Sequence, residues 1–332
     1  MLEHGGRLRE AARRYGLPPN AWLDLSTGIN PHAWPVPAVP GHCWQRLPEE
    51  DDGLEAAARD CYGAPQVLPV AGSQAAIQAL PRLRPPGRVG ILHPGYAEHA
   101  HAWEAAGHQV ARLPAECLEQ ELNALDVLVL IHPNNPTGAC FPTPTLLDWH
   151  ARLAARGGWL LVDEAFMDPT PEHSLAPFSD RPGLIVLRSL GKFFGLAGAR
   201  AGFVCAGALL LARLAELLGP WTLTGPSRYV AAAALRDLGW QAAMRQRLPG
   251  EAARLRALLA EHGLPPAGGC ALFQWSPTPR ASALQDALAR EGVWVRRFAT
   301  PSALRFGLPR SETDWGRLAD ALALATEAGV TP

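Results

Sequence analysis

A chain of 332 residues, 48% hydrophobic and 18% charged, can bury a substantial core and is long enough for two lobes. Its formal net charge of −1 gives no electrostatic ground for expecting nucleic acid or an anionic membrane as a partner. No apolar run is long enough to span a bilayer, and the opening residues "MLEHGGRLREAARRYG" lack the apolar centre of a signal peptide.

In chain order, the proline-rich "NPHAWPVPAVPGH" (30–42) predicts an extended connection between an N-terminal piece and the main body. From about residue 54, short apolar runs alternate with helical patterns. "GRVGILH" (87–93), "HQVARL" (108–113), "LDVLVLIH" (125–132), "GWLLVDEAF" (158–166) and "GLIVLRS" (183–189) read as strands. "AIQALPRL" (76–83) and "TPTLLDWHARLAARG" (143–157) read as helices, with Pro81 breaking the first near its end. Alternation of this kind predicts an α/β fold with a mainly parallel sheet covered on both faces.

After about residue 225 a long helical region through "EAARLRALLAEHG" leads to short strands in "CALFQWS", "VWVRRF" and "ALRFGL", then to a closing helix near 311–328. This is a smaller α+β lobe, which the N-terminal segment is expected to complete. The expected division is an N-terminal segment (1–30), a large domain (31–225) and a small domain (226–332), with a ligand in the cleft between lobes. The six cysteines are scattered with no C-x-x-C pair, so reduced thiols in a cytoplasmic protein are expected. In "HPGYAEHAHAWEAAGH", His99 and His101 lie two apart, poor spacing for one helical face, so solvated surface is expected for both and no metal site.

The chain contains 30 lysines and arginines, and only one of them, Lys192, is lysine. Arginine replaces lysine wherever only charge is needed, but guanidinium does not lose its proton and attack a carbonyl carbon. A single lysine inside "RSLGKFFGLAGARAGF" therefore points to covalent amine chemistry. Other segments offer what such chemistry needs. Gly72, Ser73 and Gln74 of "VAGSQAAI" stand between a strand and a helix, where backbone N–H groups suit a phosphate. Ser189 and Arg200 flank the lysine and are good phosphate partners. Asp163 ends the apolar strand of "LLVDEAF" and could hold a proton on a pyridine nitrogen. Asn135 of "IHPNNPTG" could donate to a phenolate oxygen or hold its Asn-Pro turn. Tyr96 of "HPGYAEH" offers a ring face for stacking, although a buried aromatic is the commoner fate of such a residue.

The ordered set "AGSQAAI", "PGY", "NNPTG", "VDEAF", "SLGKFFGLAGARAG" and "LRFG" resembles the fold type I pyridoxal-phosphate enzymes, from about residue 20 to 325. The resemblance implies pyridoxal 5′-phosphate as cofactor, with Lys192 bonded to it, Asp163 at the ring nitrogen, Asn135 at the ring oxygen and Tyr96 stacked. It places Gly72, Ser73, Gln74, Ser189 and Arg200 around the cofactor phosphate and Arg305 of "LRFGL" on the substrate carboxylate. It also implies a homodimer in which Tyr62 of "DCYGAPQ" reaches the partner's cofactor phosphate.

Within that superfamily the chain resembles the threonine-phosphate decarboxylases of cobalamin synthesis and, next, the histidinol-phosphate aminotransferases. The opening "EHGGRLREAARRYGLPPNAWLDLSTGINPHAWP" favours the decarboxylases, as does Phe166 where many aminotransferases carry a tyrosine. The implied reaction removes CO2 from L-threonine O-3-phosphate to give (R)-1-aminopropan-2-ol O-2-phosphate, with His4, Asn30 and Arg296 on the substrate phosphate. Gly191 departs from relatives that place a hydroxyl residue before the lysine. A cofactor-binding transcription regulator of this fold is not expected, because the stretch before "DLSTGINP" is too short for a DNA-binding domain.

Overall fold

Val127–Ile131 is apolar and buried at every position, the pattern of a strand covered on both faces. In the computed structural model, which describes residues 4–327, it lies inside a seven-stranded sheet. The spatial order is Val67–Val70, Gly202–Cys205, Leu184–Ser189, Trp159–Asp163, Val127–Ile131, Arg88–Leu92 and Gln109–Leu113. Gly202–Cys205 runs antiparallel to both neighbours, and the remaining pairs are parallel. The sequence did not announce this short strand, which is buried along its whole length between two others.

The covering helices carry the expected stripes. Thr143–Ala154 buries Leu146, Trp149, His150 and Leu153, spaced to share one face. Ser73–Ala79 passes into a tighter turn at Leu80–Leu83, where Pro81 has no N–H to continue the α-helical ladder. Ile77, Trp103, Val129, Leu161, Leu187 and Val204 meet in one core.

The chain forms two units. The larger comprises Ala33–Asn135 and Cys140–Ala243; the smaller takes the chain up to His32, Pro136–Ala139 and the chain from Met244 onward. The larger unit thus extends past residue 225, the boundary expected from composition. The helix Gly225–Arg236 belongs to it because Arg228 pairs with Asp52 at 2.6 Å and with Glu55 at 3.0 Å. Trp34 Nε1 also donates to Asp237 at 3.0 Å. Pro136–Ala139 goes to the smaller unit: Gly138, at φ 76°, lies so close to Gly269 that a β-carbon would sit 2.0 Å from its carbonyl oxygen.

In the smaller unit, Arg296–Phe298, Ala303–Gly307, Phe273–Pro277 and Gly268–Cys270 form an antiparallel sheet in that order. Leu23–Asp24 pairs in parallel with Val293–Trp294. The N-terminal helix Leu8–Tyr15 docks through Tyr15, whose hydroxyl donates to Asp286 at 2.7 Å. Among the described residues, no helix is long and apolar enough to cross a membrane.

Behind the strand ends Leu184–Ser189 and Trp159–Asp163 lies a sealed ion cluster. Arg188, 2% exposed, donates to Glu164 and to Asp168, each at 2.6 Å. Leu175 N–H and the Ser174 hydroxyl also donate to Glu164. Burial opposes the Arg188 charge, but Asp168 and Glu164 outweigh it and hold its pKa above the ordinary value. Arg188→Met removes the cation and leaves two buried carboxylates, so stability in denaturant titration is expected to fall by about 3–5 kcal/mol. A loss below about 1 kcal/mol would show that the cluster does not clamp these strands.

Candidate active site

The C-terminal ends of the parallel strands bring the predicted groups of the larger unit to one edge, where ligands bind in open α/β sheets. Asp163 closes Trp159–Asp163 and is 3% exposed. Its Oδ1 accepts from Ala165 N–H at 3.1 Å, and its Oδ2 lies 2.9 Å from His99 Nε2. Asn135 follows the neighbouring strand Val127–Ile131, whose Ile131 pairs with Asp163. Lys192 follows Leu184–Ser189, with Nζ 5.4 Å from the centroid of the Phe166 ring.

Gly202 explains how residues distant in sequence come together at one strand end. It pairs with Ser189 on one side and Val70 on the other. A β-carbon on Gly202 would lie 2.6 Å from Ser73 N and 3.0 Å from Arg188 O, so only glycine admits the Gly72–Ser73 turn at this distance. Gly72 has φ 69°, and a β-carbon there would meet Arg200 Nη2 at 2.7 Å. Gly72, Ser73, Ser189 and Arg200 are thereby gathered around the same strand end. Ser189 Oγ accepts from Gly191 N–H at 3.2 Å.

The helix Ala97–Ala105 delivers three groups from its first turn. The Tyr96 hydroxyl donates to Gln74 Oε1 at 3.2 Å, and Gln74 Nε2 donates to Glu98 at 2.8 Å. Burial raises the Tyr96 pKa to about 12, so the phenol keeps its proton at neutral pH and remains the donor. Gln74 therefore fixes the stacking ring and does more than precede a helix.

Two expectations are corrected here. His99 is fully buried against Asp163, not solvated; His101 is the exposed one. The signal was present but unread: His99 stands one helical turn after Tyr96, on the same face. Tyr62 does not reach outward to a partner subunit. It is 5% exposed inside its own protomer, its ring 4.5 Å from the Arg188 guanidinium carbon and edge-on to Phe203.

In the smaller unit Arg305 and the glycine pair after His4 meet at Ser26, which sequence reading passed over. Ser26 Oγ accepts from Gly6 N–H at 2.8 Å and donates to Asp24 at 2.6 Å. The Ser26 carbonyl accepts from Arg305 Nη2 at 2.7 Å. The half-buried His4 is thus followed by a Gly5–Gly6 pair seated on Ser26; a β-carbon on Gly5 would lie 2.4 Å from the Ser26 carbonyl oxygen. Arg296 faces Arg305 across the antiparallel pair. Burial, then Arg296, lowers the Arg305 pKa to about 10, which leaves it charged at neutral pH. Two guanidiniums at this spot suit an anion. Asn30, 2% exposed, uses Oδ1 to accept from His32 N–H at 3.0 Å.

The groups gathered in the larger unit fit pyridoxal 5′-phosphate. The Gly72 cradle would hold the phosphate, Asp163 the ring nitrogen, Asn135 the ring oxygen, Tyr96 the ring face and Lys192 the aldehyde carbon. Among the described residues no cluster has metal-binding composition.

Residues 50–322 match the family model of aminotransferase class I and II, and the chain belongs to that family. The solved histidinol-phosphate aminotransferase of Sinorhizobium meliloti, in complex with pyridoxal-5′-phosphate, superposes with a TM-score of 0.84 at 19% identity, covering 98% of this chain and 96% of that one. Within the class the chain is one of the threonine-phosphate decarboxylase group. It is 62% identical to the enzyme of that name from Pseudomonas aeruginosa, covering 97% of each. It is 45% identical to the one from a Sinorhizobium species, covering 97% of this chain and 98% of that one.

Arg305→Ala is expected to weaken the binding of L-threonine O-3-phosphate, measured by calorimetric titration, about 10- to 100-fold, the value of one charged hydrogen-bonded pair. Unchanged affinity would move the carboxylate site elsewhere.

Proposed function

We propose that the chain decarboxylates L-threonine O-3-phosphate to (R)-1-aminopropan-2-ol O-2-phosphate and CO2, with pyridoxal 5′-phosphate as cofactor, as a step of cobalamin biosynthesis. The observation that carries the substrate assignment is the 62% identity to the Pseudomonas aeruginosa threonine-phosphate decarboxylase along nearly the full length of both chains. The bound cofactor supplies an electron sink for the pair left at Cα when a bond there breaks.

The protein's own groups decide which bond that is. Arg305 takes the substrate carboxylate in a fork pair, while Arg296, Asn30 and His4 take its phosphate. Contacts at these two ends would set how the substrate is rotated about Cα, and so which of its Cα bonds is poised to break. Binding energy away from the reacting carbon thereby selects loss of CO2 over removal of the Cα proton. Asp163 holds the proton on the ring nitrogen, and the Lys192 amine returns a proton to Cα after CO2 departs. Phe166, 2% exposed beside Lys192, presents an apolar ring and no donor.

A homodimer is part of the same reading. Its support is an exposed set of apolar side chains, Trp44, Leu47 and Tyr229, beside a surface groove of about 610 Å³ that carries both Arg46 and Asp51. Mixed charges on one face suit a self-complementary two-fold contact. The six free thiols support a cytoplasmic location.

Cofactor-loaded protein mixed with L-threonine O-3-phosphate, without any keto acid, is expected to release aminopropanol phosphate over many turnovers by mass spectrometry. Unchanged substrate, or one turnover that stops with the cofactor as its amine, would instead establish an aminotransferase. Lys192→Arg is expected to reduce turnover to background and to abolish the visible absorbance of covalently bound cofactor. Retention of that absorbance would remove the covalent role of the lysine.

A further inference from the structure

Gln74 stands second in the helix Ser73–Ala79, next to the proposed phosphate turn. Tyr96 caps the helix Ala97–Ala105, whose first turn carries Glu98. The Tyr96 hydroxyl lies 3.2 Å from Gln74 Oε1, and a Glu98 carboxylate oxygen lies 2.8 Å from Gln74 Nε2. The two ends of a primary amide are nearly alike in shape, so sterics do not decide which way it faces. Its neighbours do. An ionised carboxylate only accepts, so the NH2 group must face Glu98 and the carbonyl must face Tyr96. The bond to the charged partner is the stronger of the two and sets the direction of both. Burial, and then the Glu98 charge, keep the proton on the Tyr96 phenol, where Gln74 accepts it in a hydrogen bond.

We infer that Glu98 is a positioning residue that acts through Gln74, holding the Tyr96 hydroxyl as a donor toward the phosphate-turn helix and so fixing the stacking ring at both ends. This rests on the reading of Tyr96 as the ring that lies against the cofactor. The ring is tied to the backbone at Cβ and, through its hydroxyl, to the residue that follows Ser73. The ring face and the proposed phosphate turn are thereby held as one piece. Without the carboxylate the Gln74 amide can reverse; its NH2 then donates to the phenol oxygen, and the hydroxyl no longer donates to Gln74. A carboxylate in the first turn of a helix also favours that helix through its dipole, but that effect does not pass through Gln74.

The test uses the full-length holoenzyme labelled with ¹³C at the tyrosine Cζ. The chain has four tyrosines, so the spectrum is simple, and Tyr96→Phe identifies the Tyr96 signal. That signal lies nearer the phenolate position when the hydroxyl donates and farther from it when the oxygen accepts. At neutral pH, Glu98→Ala is expected to move it away from the phenolate position. The same variant is expected to lower kcat/KM for L-threonine O-3-phosphate about three- to tenfold, the value of one hydrogen bond. In a Gln74→Met background, Glu98→Ala is expected to move the signal by less than about a third as much. An unmoved signal in Glu98→Ala, or equal moves in both backgrounds, would overturn the positioning role, since a charge acting directly through space does not need Gln74. Tyr96→Ala serves as the separate check on the underlying reading. If that variant keeps the wild-type affinity for cofactor, Tyr96 is not the stacking ring, whatever the Glu98 variants show.

Discussion

A guanidinium sealed between two carboxylates ties together the two strand ends that carry Asp163 and Lys192. Successive side chains of a strand point to opposite faces. Asp163 and Ser189 belong to the proposed site, while their neighbours Glu164 and Arg188 are joined by an ion pair of 2.6 Å. Asp168 closes the cluster from the following turn, also at 2.6 Å. Two loops that would otherwise be independent thus share one buried anchor. The arrangement is costly in desolvation and pays only if every member is bonded, which is why the Ser174 hydroxyl and Leu175 N–H both donate to Glu164.

The same economy of position recurs at Gly202. A residue with any side chain there would push the Gly72–Ser73 turn away from Ser189 and Arg200. The antiparallel insertion of Gly202–Cys205 into a parallel sheet is therefore more than a topological detail. It brings an early turn of the chain beside a late one without a long loop. The proposed phosphate site depends on that contact as much as on the polar groups themselves.

The smaller unit solves a related problem with Ser26. One residue accepts from the N-terminal Gly6 and from Arg305, 279 positions apart from Ser26 in the chain. Docking Gly5 and Gly6 there ties the N-terminal segment to the strand that carries Arg305. The proximity of Arg296 depresses the Arg305 pKa further than burial alone, a cost that an anionic ligand would offset.

Much was legible in the sequence. Lys192 stood out as a candidate by being the only lysine, and Asp163 by ending an apolar run. Periodicity located five of the seven sheet strands and the covering helices, because alternation and amphipathic stripes are local properties of the chain. The proposed reactive amine, the proposed pyridine partner and the α/β class are therefore products of local sequence. What only the tertiary structure decided is who stands next to whom. His99 looked like a surface residue until Asp163, 64 positions away, was placed against it. Tyr62 looked like an outward-reaching ligand until Arg188 and Phe203 closed over it. Residue type and spacing record the local backbone, whereas burial and pairing are set by strands and helices meeting from distant parts of the chain.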